Sequence, residues 1–330
     1  MNRPYPWLKP QLAQLVAMRE RMPHALLIAG PAGIGKLELA QALIATLLCI
    51  HPDAGHACGN CASCRWLAAG SHPDVLQVEP QMPDSEEESA SRQRQKPINV
   101  EQVRAATGFL QLSSHQGGLR IVLVQPAETM NVPAANALLK TLEEPPAGSL
   151  LILVSHHPAR LLPTVISRCY QVRVPVPAAS VATAWLREQG VTETALSLSL
   201  ANGSPLLALA QADPEWLQAR AGWLMAWQTP RSAHPVALAG ELMKLDMDML
   251  QRWLTAFQQW MHDLISLRLG GRIRYHIDCQ PGLQALAGRL EVDSAFVFHE
   301  RLINMRKSLH HTLNQQMVLE DVLLDYVALF

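Results

Sequence analysis

A chain of 330 residues with 27 basic and 28 acidic side chains, a formal net charge of −1 and 49% hydrophobic residues has the composition of a globular protein. At about 100–200 residues per domain, this length makes two or three domains, each able to bury a core. The near-neutral balance argues against a strong nonspecific attraction to nucleic acid or acidic membrane, though not against a local basic patch, and no run approaches the roughly 18 apolar residues of a bilayer span.

The chain opens Met1-Asn2-Arg3-Pro4-Tyr5-Pro6-Trp7, with two prolines and no apolar stretch of a secretory signal, so a cytoplasmic protein is expected. Ala25-Leu26-Leu27-Ile28-Ala29 reads as a buried strand. It runs into Gly30-Pro31-Ala32-Gly33-Ile34-Gly35-Lys36 and then a helical pattern through Leu39, Leu43, Leu47 and Leu48. Strand, glycine-rich turn and helix form the context of a phosphate-binding P-loop. Backbone N–H groups converge on phosphate oxygens there, the helix N-terminus adds positive potential, and the lysine reaches the outer phosphates. Gly30, Gly33, Gly35 and Lys36 are therefore the nucleotide-contact candidates. The next residue is Leu37, where a Ser or Thr hydroxyl normally holds Mg²⁺, and leucine offers no oxygen to a hard cation. The expectation is a degenerate loop poorly equipped for ATP or ADP, with residual phosphate binding left open.

Cys49, Cys58, Cys61 and Cys64 follow directly, spaced x8, x2 and x2, with Gly59 easing the tight knuckle. Four soft ligands in a reducing compartment suit tetrahedral Zn²⁺, and with no open position the ion would be structural. Free thiols or an iron–sulfur cluster are the alternatives, because C-x2-C-x2-C also occurs in ferredoxins. Lone Cys169 and Cys279 read as small buried apolar residues.

Val75–Val78 is a second strand. The stretch 81–97 has four acids, then three bases, and no large aliphatic residue except Met82, so a mobile surface loop is expected, with a partner-binding tail as the alternative. Ile121–Val124 and Leu150–Val154 are stronger strands, with a helix over Ala134–Leu142 between them, and Gln171–Val174 reads as the last strand. Continuous apolar strands alternating with helices suggest a parallel sheet covered on both faces. After Ile121–Val124 come Gln125 and Pro126, where an ATPase carries an acid for Mg²⁺ and the attacking water. Glu128 is expected to point elsewhere.

Beyond Pro175-Val176-Pro177 helical periods take over. Leu250, Trp253, Leu254, Phe257, Trp260, Met261 and Leu264 make one helical stripe, read as a bundle core with a subunit interface as the alternative. Arg268, Arg272 and Arg274 flank Gly270-Gly271 as a solvated loop that can touch DNA or a partner. His310-His311 read as surface residues, since neighbours on a helix point in different directions.

Two further segments carry a resemblance. Ala134-Ala135-Asn136-Ala137-Leu138-Leu139-Lys140-Thr141-Leu142-Glu143-Glu144-Pro145-Pro146 and Ser167-Arg168-Cys169 resemble signatures of bacterial clamp-loader subunits of the AAA+ class. The cysteine cluster after the P-loop helix, Tyr5-Pro6-Trp7-Leu8 and the lapsed ATPase residues resemble their noncatalytic, delta-prime type. Specific motifs cover about the first 210 residues.

The resemblance implies a RecA-like AAA+ domain over 1–170 carrying the zinc module at 49–64, a helical lid over 171–210, and a helical collar over 211–330. It implies gamma or tau and delta subunits as partners in a five-membered ring that loads the sliding clamp onto primed DNA within the DNA polymerase III holoenzyme. It gives Arg168 the part of an arginine finger reaching in trans to a neighbour's nucleotide, a part suited to a guanidinium that stays charged. Read from the residues alone, Arg168 closing a local salt bridge is the alternative. In the lid, Gly203-Ser204-Pro205-Leu206 stands where active subunits carry a sensor arginine, and Ser155-His156 where a polar sensor is usual. The resemblance thus implies a chain that is not itself catalytic. An active gamma- or tau-type ATPase and a zinc-dependent DNA-binding module are the competing readings. The first lacks a magnesium carboxylate. The second lacks a basic face, Arg65 being the only strong base of the knuckle.

Overall fold

The computed structural model describes residues 4–53, 56–81, 96–115, 118–232, 234–308 and 314–330. These divide into two compact units, Met1–Pro177 and Ala178–Phe330.

The first unit is built on five strands: β1 Ala25–Ala29, β2 Val75–Val78, β3 Arg120–Val124, β4 Ser149–Ser155 and β5 Tyr170–Arg173. They lie in the order β2-β3-β4-β1-β5, and every pairing is parallel. Parallel strands need crossovers, which here are helical. The described helices are α1 Lys9–Ala17, α2 Lys36–Leu48, α3 Ala62–Ala68, α4 Val100–Gln111, α5 Val132–Glu143 and the single turn α6 Pro163–Ile166.

Alternation along β1 shows how both faces are covered. Leu26 and Ile28 pack with Leu12 of α1 and Leu39 and Leu43 of α2. Ala25, Leu27 and Ala29 pack instead with Val103 and Leu110 of α4 and Leu138 and Leu142 of α5. All five β1 residues are buried. The helices start where short polar side chains satisfy free N–H groups. Asn99 and Gln102 form a reciprocal capping box on α4, and Asn131 accepts from Ala134 N–H at the head of α5.

This is the α/β P-loop arrangement expected from the sequence. All five strands lie within a residue or two of where the apolar runs place them. The boundary expected at residue 170 falls inside the sheet, because β5 pairs with β1 from Leu26 to Ala29 and Val174 N–H binds Ala29 O at 2.8 Å.

The second unit is helical: α7 Ala179–Glu188, α8 Thr194–Leu200, α9 Pro205–Ala210, α10 Pro214–Gln228, α11 Pro235–Leu242, α12 Met247–Arg268, α13 Gln280–Ala287, α14 Val292–Ser308 and α15 Gln315–Ala328. It holds two separate apolar clusters. One gathers Ala182, Leu186, Leu198 and Ala208 from α7 to α9. The other is centred on Trp227, Trp253, Phe257 and Trp260, where Trp227 stacks on Phe257 at 4.7 Å between centroids. Every residue of the predicted α12 stripe is buried in that core, as a bundle interior requires. Tyr326 of α15 is enclosed there; its hydroxyl accepts from Trp260 Nε1 at 2.8 Å and donates to Trp227 O at 2.7 Å.

No described helix is long and apolar enough to cross a membrane. Of the predicted loop at 81–97, residues 82–95 lie outside the described residues, as do His310 and His311.

Candidate functional site

The glycine-rich turn leaves β1 and closes on α2. Gly33 and Gly35 adopt left-handed backbone, with φ of 72° and 87°, a conformation that costs other residues steric strain. Gly30 is needed for another reason: a Cβ there would lie 2.3 Å from Val174 O. Trp7 seals the loop from the N-terminal side by donating from Nε1 to Ile34 O at 2.9 Å, and Tyr5 stacks on Trp7 at 5.0 Å. Lys36 is 2% exposed and donates from Nζ to Pro31 O. Burial pulls its ammonium down to about 8, against the opposing charges of Glu128 and Glu38.

Gly30, Gly33, Gly35 and Lys36 are thus brought together as a phosphate loop, at the carboxyl ends of parallel strands where such ligand crevices form. Leu37 follows them, half-buried among apolar neighbours. At the end of β3, Gln125 Nε2 donates to Glu79 Oε1 at 2.6 Å, so the amide is engaged by a neighbouring strand end. Pro126 has no polar side-chain atom.

Glu128 is the residue that sequence reasoning undervalued. It does not point away. Its Oε1 accepts from His156 N–H at 2.9 Å and His157 N–H at 3.2 Å, just past Ser155 at the end of β4. The only sequence signal was an acid within four residues of a strand end, on a turn (Ala127–Thr129) whose direction depends on the fold. Ser155 is fully buried, in register with Ala29.

Cys49, Cys58, Cys61 and Cys64 converge, all four Sγ atoms lying within 4.8 Å of one another. The Cys49–Cys61 and Cys49–Cys64 sulfurs are 4.0 and 3.8 Å apart. A tetrahedral ion with bonds of about 2.3 Å separates its sulfurs by about 3.8 Å, so the donor set fits zinc in chemistry and in size. Backbone N–H groups also point at sulfur: Cys58 N to Cys49 Sγ at 3.2 Å and Cys61 N to Cys58 Sγ at 3.4 Å. These are the partners thiolates would need. Beneath the knuckle, buried Ser63 bonds His72 Nε2 at 3.0 Å, and His72 Nδ1 accepts from Asp74 N–H at 3.0 Å, so the packing of α3 is fixed by polar contacts as well.

Arg168 follows α6, on the approach to β5, and its side chain is 36% exposed. The guanidinium binds Glu143 Oε1 from Nε at 3.0 Å and from the Nη2 nitrogen at 2.7 Å, and donates to Thr164 O at 3.0 Å. The two motif segments, one containing Glu143 and the other centred on Arg168, are therefore joined at the surface. Cys169 is half-buried, with burial pushing its thiol up to about 11; Cys279 is buried.

In the second unit, Leu206 lies in the first turn of α9. Of the arginines near Gly270-Gly271, Arg268 Nε binds Leu290 O at 3.0 Å and Arg274 Nε binds Asn202 Oδ1 at 3.0 Å, so two of the three have structural partners.

A parallel sheet in this order, with a phosphate loop after its first strand, defines a P-loop protein of RecA-like architecture. The family described as DNA polymerase III, delta subunit, matches residues 8–178, and its C-terminal counterpart matches 214–327. The chain belongs to this DNA polymerase III delta subunit family. It is 46% identical over 208 residues to the DNA polymerase III subunit delta' of Pseudomonas aeruginosa, covering 62% of this chain and 60% of that one. It is 38% identical over 221 residues to the Escherichia coli delta' subunit (66% and 63% of the two chains), and 33% over 265 residues to that of Haemophilus influenzae (78% and 76%). The matched region thus spans less than two thirds of the first two relatives.

Proposed function

We propose that this chain is a noncatalytic, delta-prime-like subunit of the DNA polymerase III clamp loader. It would join gamma or tau and delta subunits in a five-membered ring and help ATP-driven loading of the sliding clamp onto primed DNA. The observation that carries this reading is the end of β3. Beside an intact phosphate loop stand Gln125 and Pro126, and after Lys36 stands Leu37, so the usual magnesium-holding oxygens are missing from both sides of the pocket.

Three parts follow on this reading: a sheet domain with its cysteine knuckle, a small helical lid, and a helical collar that carries the subunit contacts. The separate apolar clusters of α7–α9 and α10–α15 support the lid and the collar as distinct. Cys49, Cys58, Cys61 and Cys64 would hold a structural zinc. Arg168 would act in trans, stabilising charge on the phosphate being transferred in a neighbour's pocket. Its exposure supports that role, and Glu143 holds the guanidinium extended at the surface until a phosphate replaces the carboxylate.

The decisive experiment is the ATPase of the reassembled ring. With Arg168→Ala, we expect assembly to persist while turnover falls about 10³-fold at the site the arginine completes. Undiminished turnover would remove the finger. The second reading, an active gamma- or tau-type ATPase, is favoured by the preserved glycines and Lys36, but has no carboxylate for magnesium at the end of β3.

A further inference from the structure

Arg168 and the phosphate loop of its own chain lie at opposite ends of the sheet. β5 runs parallel to β1 with Tyr170 opposite Leu26, so Arg168 precedes the amino end of its strand, while the phosphate loop leaves the carboxyl end of β1 at Gly30. At about 3.3 Å of rise per residue, the stretch from Leu26 to Gly30 sets the two levels roughly 13 Å apart, farther than an arginine side chain reaches. Among the described residues, the anion that Arg168 meets is instead Glu143. One edge of the guanidinium binds it, with Nε at 3.0 Å and Nη2 at 2.7 Å from the same Oε1. The remaining nitrogen, Nη1, is anchored to the turn beside it, donating to Thr164 O at 3.0 Å and to Ser167 Oγ at 3.3 Å.

We propose that Glu143 is a built-in competitor for this arginine, parking Arg168 against its own chain and lowering the activity of the neighbouring ATPase site until nucleotide arrives there. This deepens the trans-acting reading of Arg168 and rests on it. The two edges of the guanidinium have different duties. Its Nη1 side is tied to Thr164 and Ser167, which keeps the group in place. Its Nε–Nη2 fork has the geometry that suits carboxylate and phosphate alike, and here it already carries a carboxylate.

The position of Glu143 gives it reason to hold a cation. It is the last residue of α5, where the free carbonyls of the helix end add negative potential, and Glu144 follows it. A guanidinium offsets that cost. The pair is also open to solvent, with Arg168 36% and Glu143 53% exposed, so water and salt screen it and the contact is weak. Weakness is what a releasable hold requires. A polyphosphate presented by a neighbour carries more charge than one carboxylate and can take the fork, while the Nη1 bonds keep the guanidinium at the surface during the exchange.

The test uses rings reassembled with the full chain, their other ATPase sites disabled, and follows turnover over a range of ATP concentrations. The variants are Glu143→Gln, Arg168→Ala and the two combined, with assembly of each checked by gel filtration. Glutamine keeps the length and an acceptor oxygen while removing the charge. Glu143→Gln is expected to raise kcat/KM about two- to fivefold, the range an exposed ion pair can shift, and to leave assembly unchanged. The gain should vanish in the combined variant, because a competitor has no effect once the group it competes for is gone. An unchanged or lower kcat/KM in Glu143→Gln overturns the assignment, a lower value making Glu143 a support for the arginine instead. A gain that survives in the combined variant overturns it too. Arg168→Ala tells this failure from that of the underlying reading: undiminished turnover there removes the trans-acting role itself, whereas a loss there with no gain in Glu143→Gln removes only the competitor.

Discussion

Asp263 sits fully buried in the middle of α12, where a carboxylate needs donors to remain. It finds them in the backbone of the following loop, accepting from Arg274, Tyr275 and His276 N–H at 2.8, 3.1 and 2.8 Å. The loop in turn carries His276 inside, where Nδ1 faces Arg220 at 2.8 Å and Nε2 faces Ala256 O at 3.1 Å. Arg220 completes the set with paired bonds to Asp278 at 2.8 and 2.7 Å. Burial and then Arg220 push the imidazole down to about 4 from 6.5, against the opposing charges of Asp263 and Asp278. A neutral His276 donates to Ala256 O and accepts from Arg220, which satisfies both. The unfolded chain therefore binds the extra proton first. The stability this histidine contributes is complete above pH 6.5 and is lost as pH falls toward 4, by at most about 3 kcal/mol. Urea melts followed by tryptophan fluorescence should show stability falling more steeply below pH 6.5 in the unmodified chain than in His276→Gln. Parallel pH curves would exclude the network as the cause.

At the scale of elements, the cysteine knuckle shows how a short segment is fixed without a core of its own. Residues 49–64 contribute few large apolar side chains, yet Cys49 and Cys64 are buried and the sulfurs are gathered. Like-charged thiolates at such distances repel, and a divalent ion removes that cost. The chain purified without chelator should carry one zinc, be colourless, and lose at least about 5 °C of thermal stability when stripped or when Cys61→Ser is introduced. Visible absorbance with bound iron would replace zinc by a cluster. The α12 stripe was legible at this scale because apolar residues at helical spacing can only be buried together. Strand ends were less legible. β4 extends to Ser149 and Ser155, small polar residues that no apolar run includes but that the parallel ladder still pairs.

Across the whole molecule, an ATPase site is a set of parts from distant stretches of chain, and only some are present. Residues 30–36 provide the phosphate loop, while the magnesium oxygens are missing after Lys36 and after Val124. On the noncatalytic reading, ATP turnover by the isolated chain should match that of Lys36→Ala at background level; robust turnover that depends on Lys36 would favour the gamma- or tau-type reading instead. Where each unit ends was also decided at this scale. The resemblance put the first domain's limit at residue 170, whereas β5 pairs with β1 and the first compact unit runs to Pro177.

Local chemistry was already written in the sequence. Continuous apolar runs, apolar residues at helical spacing, glycines before a lysine, and cysteines at knuckle spacing each depend on neighbours within a few residues, so strands, phosphate loop and candidate zinc ligands could be named in advance. What required the tertiary structure were contacts whose partners lie far along the chain. Glu128 meets the end of β4, Arg168 pairs with Glu143, and His276 meets Arg220. Each depends on how the backbone brings remote polar groups together in a low-dielectric interior or at a strand edge, where a small change of direction decides which charge is paired.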